Sequence, residues 1–191
     1  MSFTAILTGI LVILFGLILA GLIVLAVLFN TMVKHRNRVK EAWSGIDVQL
    51  KRRRNLVPNL VETVKGYREH ERSTLEDVVR ARARAEGARS VGEAQEAEQS
   101  VTGNLKTIFA LAESYPELKA DASFRKLSEQ LVEVEDQIQY ARRYYNGSVR
   151  DYNTCIESFP ANLAAGAFGF KGRPFFEIEL ATEKQNPEVN L

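Results

Sequence analysis

From Ile6 to Phe29 the chain is apolar except for Thr8 and three glycines, and the first charged side chain is Lys34. At about 1.5 Å per residue such a helix reaches roughly 36 Å, enough to cross a hydrocarbon core of ~30 Å with some tilt. Beyond it the pattern turns from uniform to periodic. Val33, Val39, Trp43, Ile46 and Leu50 recur at helical spacing, and the series runs on through Val57, Leu60, Val61, Val64 and Tyr67 to Leu75, Val78 and Val79. Spacings of three and four place these residues on one face of a single long helix. A second helix is expected from about Val91 to Ser114, with Val101, Leu105, Ile108, Phe109 and Leu111 on its apolar face. "ESYPELKADAS" then makes a turn with Asp121 as an N-cap. A third long helix follows to Ser158 through Phe124, Leu127, Leu131, Val134, Ile138, Ala141, Tyr145, Tyr152 and Ile156, with Gly147 its weak point. "SFPANLAAGAFGFKGRPF" ends it with prolines and glycines. The expected fold is all-α: a single N-terminal transmembrane helix (1–30), an extended antiparallel bundle of long helices (31–160) and a Gly/Phe-rich C-terminal tail (161–191).

A secretory signal peptide competes with the anchor, but it calls for a basic n-region, a shorter apolar core and a small-residue cleavage site. No Lys or Arg precedes this run, and Phe29-Asn30 ends it without small residues. A lipoprotein signal is not expected either, because the only cysteine is Cys155. Lys34, Arg36, Arg38, Lys40, Lys51, Arg52, Arg53 and Arg54 all follow the span, against Glu41 and Asp47. The positive-inside bias therefore places the bulk of the chain in the cytoplasm and the N-terminus outside, single-pass in the inner (plasma) membrane. Net charge is +1, with 25 Lys and Arg against 24 Asp and Glu, so the basic stretch is a local patch and a nucleic-acid partner is not expected. One cysteine excludes an internal disulfide framework.

Two features inside the first periodic helix call for a role. Pro58 removes one backbone donor and crowds the carbonyl of Arg54, at a cost of ~3 kcal/mol. The apolar phase survives across it, which favours a kink in a continuing helix over a true break; Asn55 and Asn59 are placed to offer side-chain bonds to the freed groups. Arg52, Arg53 and Arg54 occupy three successive positions, so at least one must point near the apolar stripe. Inside a bundle that arginine needs a carboxylate, from Glu129, Glu133 or Glu135 on the last long helix, and such a pair would fix register more than it adds stability. The alternative is an acidic face of a neighbouring subunit. The tail phenylalanines, Phe168, Phe170, Phe175 and Phe176 together with Phe159, exceed what a slender bundle can bury alone. With three helices running up, down and up, they are expected at the distal tip, near the turn that follows Gly87; a seat in the bilayer surface is the other reading.

"NRVKEAWSGIDVQLKRRRNLVPNLVETVKGYREHE" resembles the signature of the LemA family of bacterial membrane-anchored helical proteins. "YNTCIESFPANLAAGAFGFKGRPFFE" resembles that family's C-terminal signature, and "PEVNL" its closing residues. The resemblance covers essentially the whole chain. It implies an N-terminal transmembrane helix and a long-helix bundle, no established catalytic activity, and genes that often neighbour those of membrane proteases, hence a link to membrane quality control.

The residues themselves assemble no active site. "REHER" around His70 lacks the second histidine of H-E-x-x-H, and His35 is too far along the chain to serve the same turn, so no metal is expected. Cys155 has no partnered motif and reads as a small buried residue. "GAFGFKG" follows a helix and lacks the spacing of a phosphate loop. Neither a cofactor nor an enzymatic activity is expected. Arg52, Arg53, Arg54, Pro58, Phe168, Phe170, Phe175 and Phe176 stand as interaction candidates. Two functions fit. One is a membrane-anchored scaffold or adaptor that contacts lipid through residues 6–29, self-associates and works with inner-membrane partners, such as a membrane protease. The other is an accessory or signalling subunit present as one copy in a single membrane complex.

Overall fold

Helix α1 (Phe3–Lys65) runs unbroken from the apolar N-terminal stretch through the basic segment and past Pro58. The computed structural model describes residues 3–65, 72–88 and 90–177. Five further helices follow: α2 (Arg72–Gly87), α3 (Val91–Glu113), the short α4 (Pro116–Ala120), α5 (Ala122–Glu157) and α6 (Ala161–Ala167). Among the described residues there is no strand, so the fold is all-α: one long apolar N-terminal helix with further helices forming a bundle. The chain divides into two compact units, residues 1–41 with 147–173 and residues 42–146 with 174–191.

In the first unit, α1 leaves its apolar side chains uncovered from Leu7 to Phe29, with Val12 at 69% and Phe15 at 68% exposure. By length and composition this helix can cross a membrane. Helix α6 interrupts the stretch read from sequence as irregular. It buries Ala161, Ala164 and Ala165, which share one face by their spacing, and points Leu163 the other way. It ends at Gly169, whose φ of 70° suits a residue without Cβ. There the Phe170 N–H donates to Ala165 O at 3.0 Å and the Gly169 N–H to Gly166 O at 3.4 Å, the bond pair of a Schellman cap. That reversal carries Phe168 and Phe170 back to α1, where both meet the Phe29 ring edge-on, at 5.0 and 5.7 Å between centroids.

In the second unit, α1, α2, α3 and α5 bury a common core that includes Val57, Leu60, Val64, Val78, Leu105, Ile108 and Leu131. Helix α3 starts at Ser90, whose hydroxyl accepts from the Glu93 N–H at 3.2 Å. Asp121 caps α5, accepting from the Phe124 N–H at 2.9 Å, and Pro116 sits at the first position of α4, where its missing donor is no loss. The expected three-helix bundle is corrected here to four. Val64 of α1 and Val78 of α2 share the core. Ala85, near the end of α2, meets Arg54, eleven residues before the end of α1, so α2 folds back alongside α1. Between Val64 and Leu75 only Tyr67 is apolar. Sequence periodicity alone bridged that gap of ten positions as one helix. Tyr67 and His70 themselves lie outside the described residues.

The extra helix reverses everything downstream. Arg52 meets Glu133 and Trp43 meets Tyr145, so α5 runs antiparallel to α1 and returns towards its earlier residues. Phe168, Phe170 and Phe176 therefore do not cap a distal tip near Gly87. Phe176 packs on Trp43, and Phe168 and Phe170 pack on Phe29.

An arginine clamp and a carboxyl-terminal strap

Three consecutive residues of a helix point about 100° apart, and Arg52, Arg53 and Arg54 use that spread to reach three neighbours. Arg52 Nη1 lies 3.3 Å from Glu133 Oε1 on α5, both side chains about half exposed. Such a pair is worth at most about 1 kcal/mol. Arg54 donates to the carbonyl oxygen of Ala85, an orphan acceptor in the last turn of α2, and lies 3.6 Å from Asp47.

Arg53 is the buried one, 3% exposed. Its Nη2 donates to the Thr102 hydroxyl at 2.9 Å. Its Nη1 lies 3.3 Å from Glu135 on α5 and 3.6 Å from Glu98 on α3, without hydrogen-bond alignment. Glu98 is 1% exposed, and neither carboxylate oxygen has a hydrogen-bond partner. Burial pushes its pKa up; Arg53 and Arg54 pull it back only in part, and Glu135 adds to the rise. The structure thus pairs the arginines with Glu133 and Glu135, as the sequence led one to expect. Glu129 takes no part in the ion pairs of the described residues. Glu98 was the missed partner. Its signal is positional: Ala94, Glu98, Val101 and Leu105 follow the buried three-four spacing, with a carboxylate at a core position.

Pro58 uses the same neighbourhood. The Arg54 carbonyl, whose helical donor the proline removes, accepts instead from Arg82 Nε of α2 at 3.0 Å. Arg82, rather than Asn55 or Asn59, satisfies the freed group, and Glu86 steadies Arg82 from 3.1 Å. Arg54 and Arg82 so exchange bonds across the α1–α2 pair. Because Pro58→Ala restores the helical donor, Arg82→Ala should cost about 1 kcal/mol more in the wild type than in the Pro58→Ala background. A double-mutant cycle by urea denaturation measures this coupling, and a coupling of zero would refute the exchange.

The second constellation holds the tail. In the 42–146/174–191 unit, Asn146 grips the backbone of Phe176 from both sides: its Nδ2 donates to Phe176 O at 3.1 Å, and its Oδ1 accepts from the Phe176 N–H at 2.9 Å. The Tyr145 hydroxyl donates to Pro174 O at 3.0 Å. Phe176 is fully buried and meets Trp43 at 5.6 Å, while Trp43 meets Tyr145 at 5.5 Å. Gln95 of α3 accepts from the Glu177 N–H at 3.1 Å. In the other unit Asn153 does the same for Arg173, at 3.0 and 2.8 Å, and the Tyr152 hydroxyl donates to Lys171 O at 3.0 Å. The Tyr-Asn pair thus recurs after seven residues of sequence, and its partners, Pro174 and Phe176 in one unit and Lys171 and Arg173 in the other, recur after three. "YNGSVRDYN" carries that spacing openly. Phe175 stays 43% exposed.

Among the described residues no group of three or more His, Cys, Asp or Glu side chains converges to hold a metal ion. Cys155 is half-buried, and burial pushes its thiol up, away from the thiolate a nucleophile needs.

Protein LemA of Metamycoplasma hominis is 28% identical over 140 residues, 71% of this chain and 63% of that protein, so the chain spans a little under two thirds of that relative's length. Magnetosome protein MamQ 2 of Paramagnetospirillum magneticum is 25% identical over 188 residues, covering 84% of this chain and 68% of the relative. Magnetosome protein MamQ of Magnetospirillum gryphiswaldense is 31% identical over 72 residues, 38% of this chain and 26% of its own length. The family model of the LemA family matches residues 42–191, which takes in the arginine clamp, Pro58 and the strap, and the chain belongs to that family.

Proposed function

We propose that this LemA-family protein is a non-enzymatic, membrane-anchored scaffold. Residues 6–29 contact the lipids of the inner membrane, the N-terminus lies outside, and the bundle works in the cytoplasm on copies of itself and on inner-membrane partners, a membrane protease among them. The observation that supports this reading is α1 itself. One unbroken helix exposes apolar side chains at its start and supplies core residues Val57 to Val64 near its end. The charge pattern after Phe29 favours the orientation. Self-association is favoured by apolar side chains left uncovered on α5, Val132 at 59% and Tyr140 at 62%. A part in membrane-protein quality control rests on the family resemblance.

Mass photometry of the full-length protein in mild detergent should give a mass several times that of one chain, and a C-terminal reporter active only in the periplasm should stay silent. A monodisperse monomer would overturn self-association in favour of an accessory subunit present as one copy, and an active reporter would overturn the orientation.

A further inference from the structure

The segment from Phe159 to Arg173 leaves large apolar side chains uncovered at a telling height. Phe29 ends the uncovered apolar run of α1, and beyond it come Asn30, Thr31, the buried Met32, the half-buried Val33 and then Lys34, Arg36 and Arg38. Phe168 and Phe170 rest on Phe29, and the Arg36 guanidinium lies 5.1 Å over the Phe170 ring. The segment is thereby fixed to α1 at the step from apolar to cationic side chains. Yet Phe159 is 80% exposed, Leu163 69% and Phe168 49%. Leu163 faces away from the alanines that α6 buries. Between Glu157 and Glu177 there is no carboxylate, only the exposed cations Lys171 and Arg173. Aromatic and aliphatic side chains flanked by cations, level with the end of a membrane span, are what a headgroup layer accommodates.

We propose that Phe159, Leu163 and Phe168 form a second membrane contact, seated in the interfacial layer of the leaflet that α1 leaves at Phe29, with Lys171 and Arg173 against anionic lipid headgroups. The occupant is lipid because the patch continues the uncovered surface of α1 through Phe29 rather than standing apart from it. This rests on the anchoring of residues 6–29 proposed above. Apolar side chains of this kind enter about 5–10 Å into the headgroup boundary. The device would hold the strap end of α5 on the bilayer as well as on α1.

The full-length protein with Cys155→Ser, carrying either Leu163→Cys or Leu22→Cys, is labelled with an environment-sensitive fluorophore and reconstituted into vesicles of phosphatidylcholine and phosphatidylglycerol. Nitroxide lipids bearing the quencher near the headgroup or near the chain end then read depth. The label at position 163 should lose emission chiefly to the shallow quencher, and the label at position 22 chiefly to the deep one. Lys171→Glu with Arg173→Glu should weaken quenching at position 163 and leave position 22 unchanged. If position 22 is quenched and position 163 is not, the interfacial seat is wrong while the anchor stands; if neither is quenched, both fail. A label at position 163 shielded from aqueous iodide yet untouched by either lipid quencher means that a second copy covers the patch, which also overturns the proposal.

Discussion

Arg53→Ala is expected to lower the stability of the bundle by about 3–5 kcal/mol, because it leaves buried carboxylate charge without its cation. Urea denaturation of the full-length protein in detergent, followed by helical circular dichroism, reads the loss. Glu98→Gln should behave in the opposite sense near neutral pH. Neither oxygen of Glu98 has a hydrogen-bond partner, and its pKa is raised chiefly by burial. The ionised carboxylate therefore sits in the folded protein at a net cost. The folded protein holds the Glu98 proton more tightly than the unfolded chain does. Its contribution to stability is then fully present below the ordinary carboxylate range and is lost as pH rises through the raised value. Mild acidification from neutrality should stabilise the bundle, and Glu98→Gln should remove that gain while leaving Arg53 paired with Glu135 at 3.3 Å. If Glu98→Gln is as damaging as Arg53→Ala, the ion pair outweighs desolvation and this account of the clamp is wrong.

Most of the fold was legible because the apolar spacing of α3 and α5 runs clear of interruption, and Asp121, read as a cap, does cap α5. What failed was a count. The sequence phase carried across Tyr67 to Leu75 because both halves are helical on the same face, and periodicity cannot distinguish one helix from two that fold back on each other. With that one reversal, Phe168 and Phe170 meet Phe29 and Phe176 meets Trp43 instead of a tip. The clamp was half legible. Three successive arginines must spread around a helix, so one had to be buried, and a carboxylate on α5 was the sensible partner. Glu98 was passed over because it lies among Glu93 and Glu96 in a segment that looks solvent-exposed by composition; only its register with Val101 and Leu105 betrays it. Hydropathy marked Phe176 of the strap as a candidate, but not the asparagine grip, which is on backbone atoms. Asn146 and Asn153 read no side chain of the tail, and nothing in the tail's own composition announces them.

Phe176→Ala should cost about 3–5 kcal/mol, the range for removing a fully buried phenylalanine, and it carries its own reporter. Trp43 is the protein's only tryptophan, and its indole meets the Phe176 ring at 5.6 Å and Tyr145 at 5.5 Å. Removing the ring opens one side of the half-buried indole to water, so its emission should shift to the red as the denaturation midpoint falls. Asn146→Ala tests the grip without touching the aromatic cluster. It strips both backbone partners from Phe176, and leaving such groups unsatisfied costs about 1–3 kcal/mol. Asn146→Asp is the sharper variant, because it keeps an acceptor for the Phe176 N–H but turns the donor facing Phe176 O into a second acceptor. It should therefore do no better than alanine. The order expected is wild type, then the two Asn146 variants, then Phe176→Ala, in stability and in blue-to-red emission alike. Were Phe176→Ala to leave both the midpoint and the Trp43 emission where they stand in the wild type, the strap would be a passive tail, and the packing of Phe176 on α1 would contribute nothing to the fold.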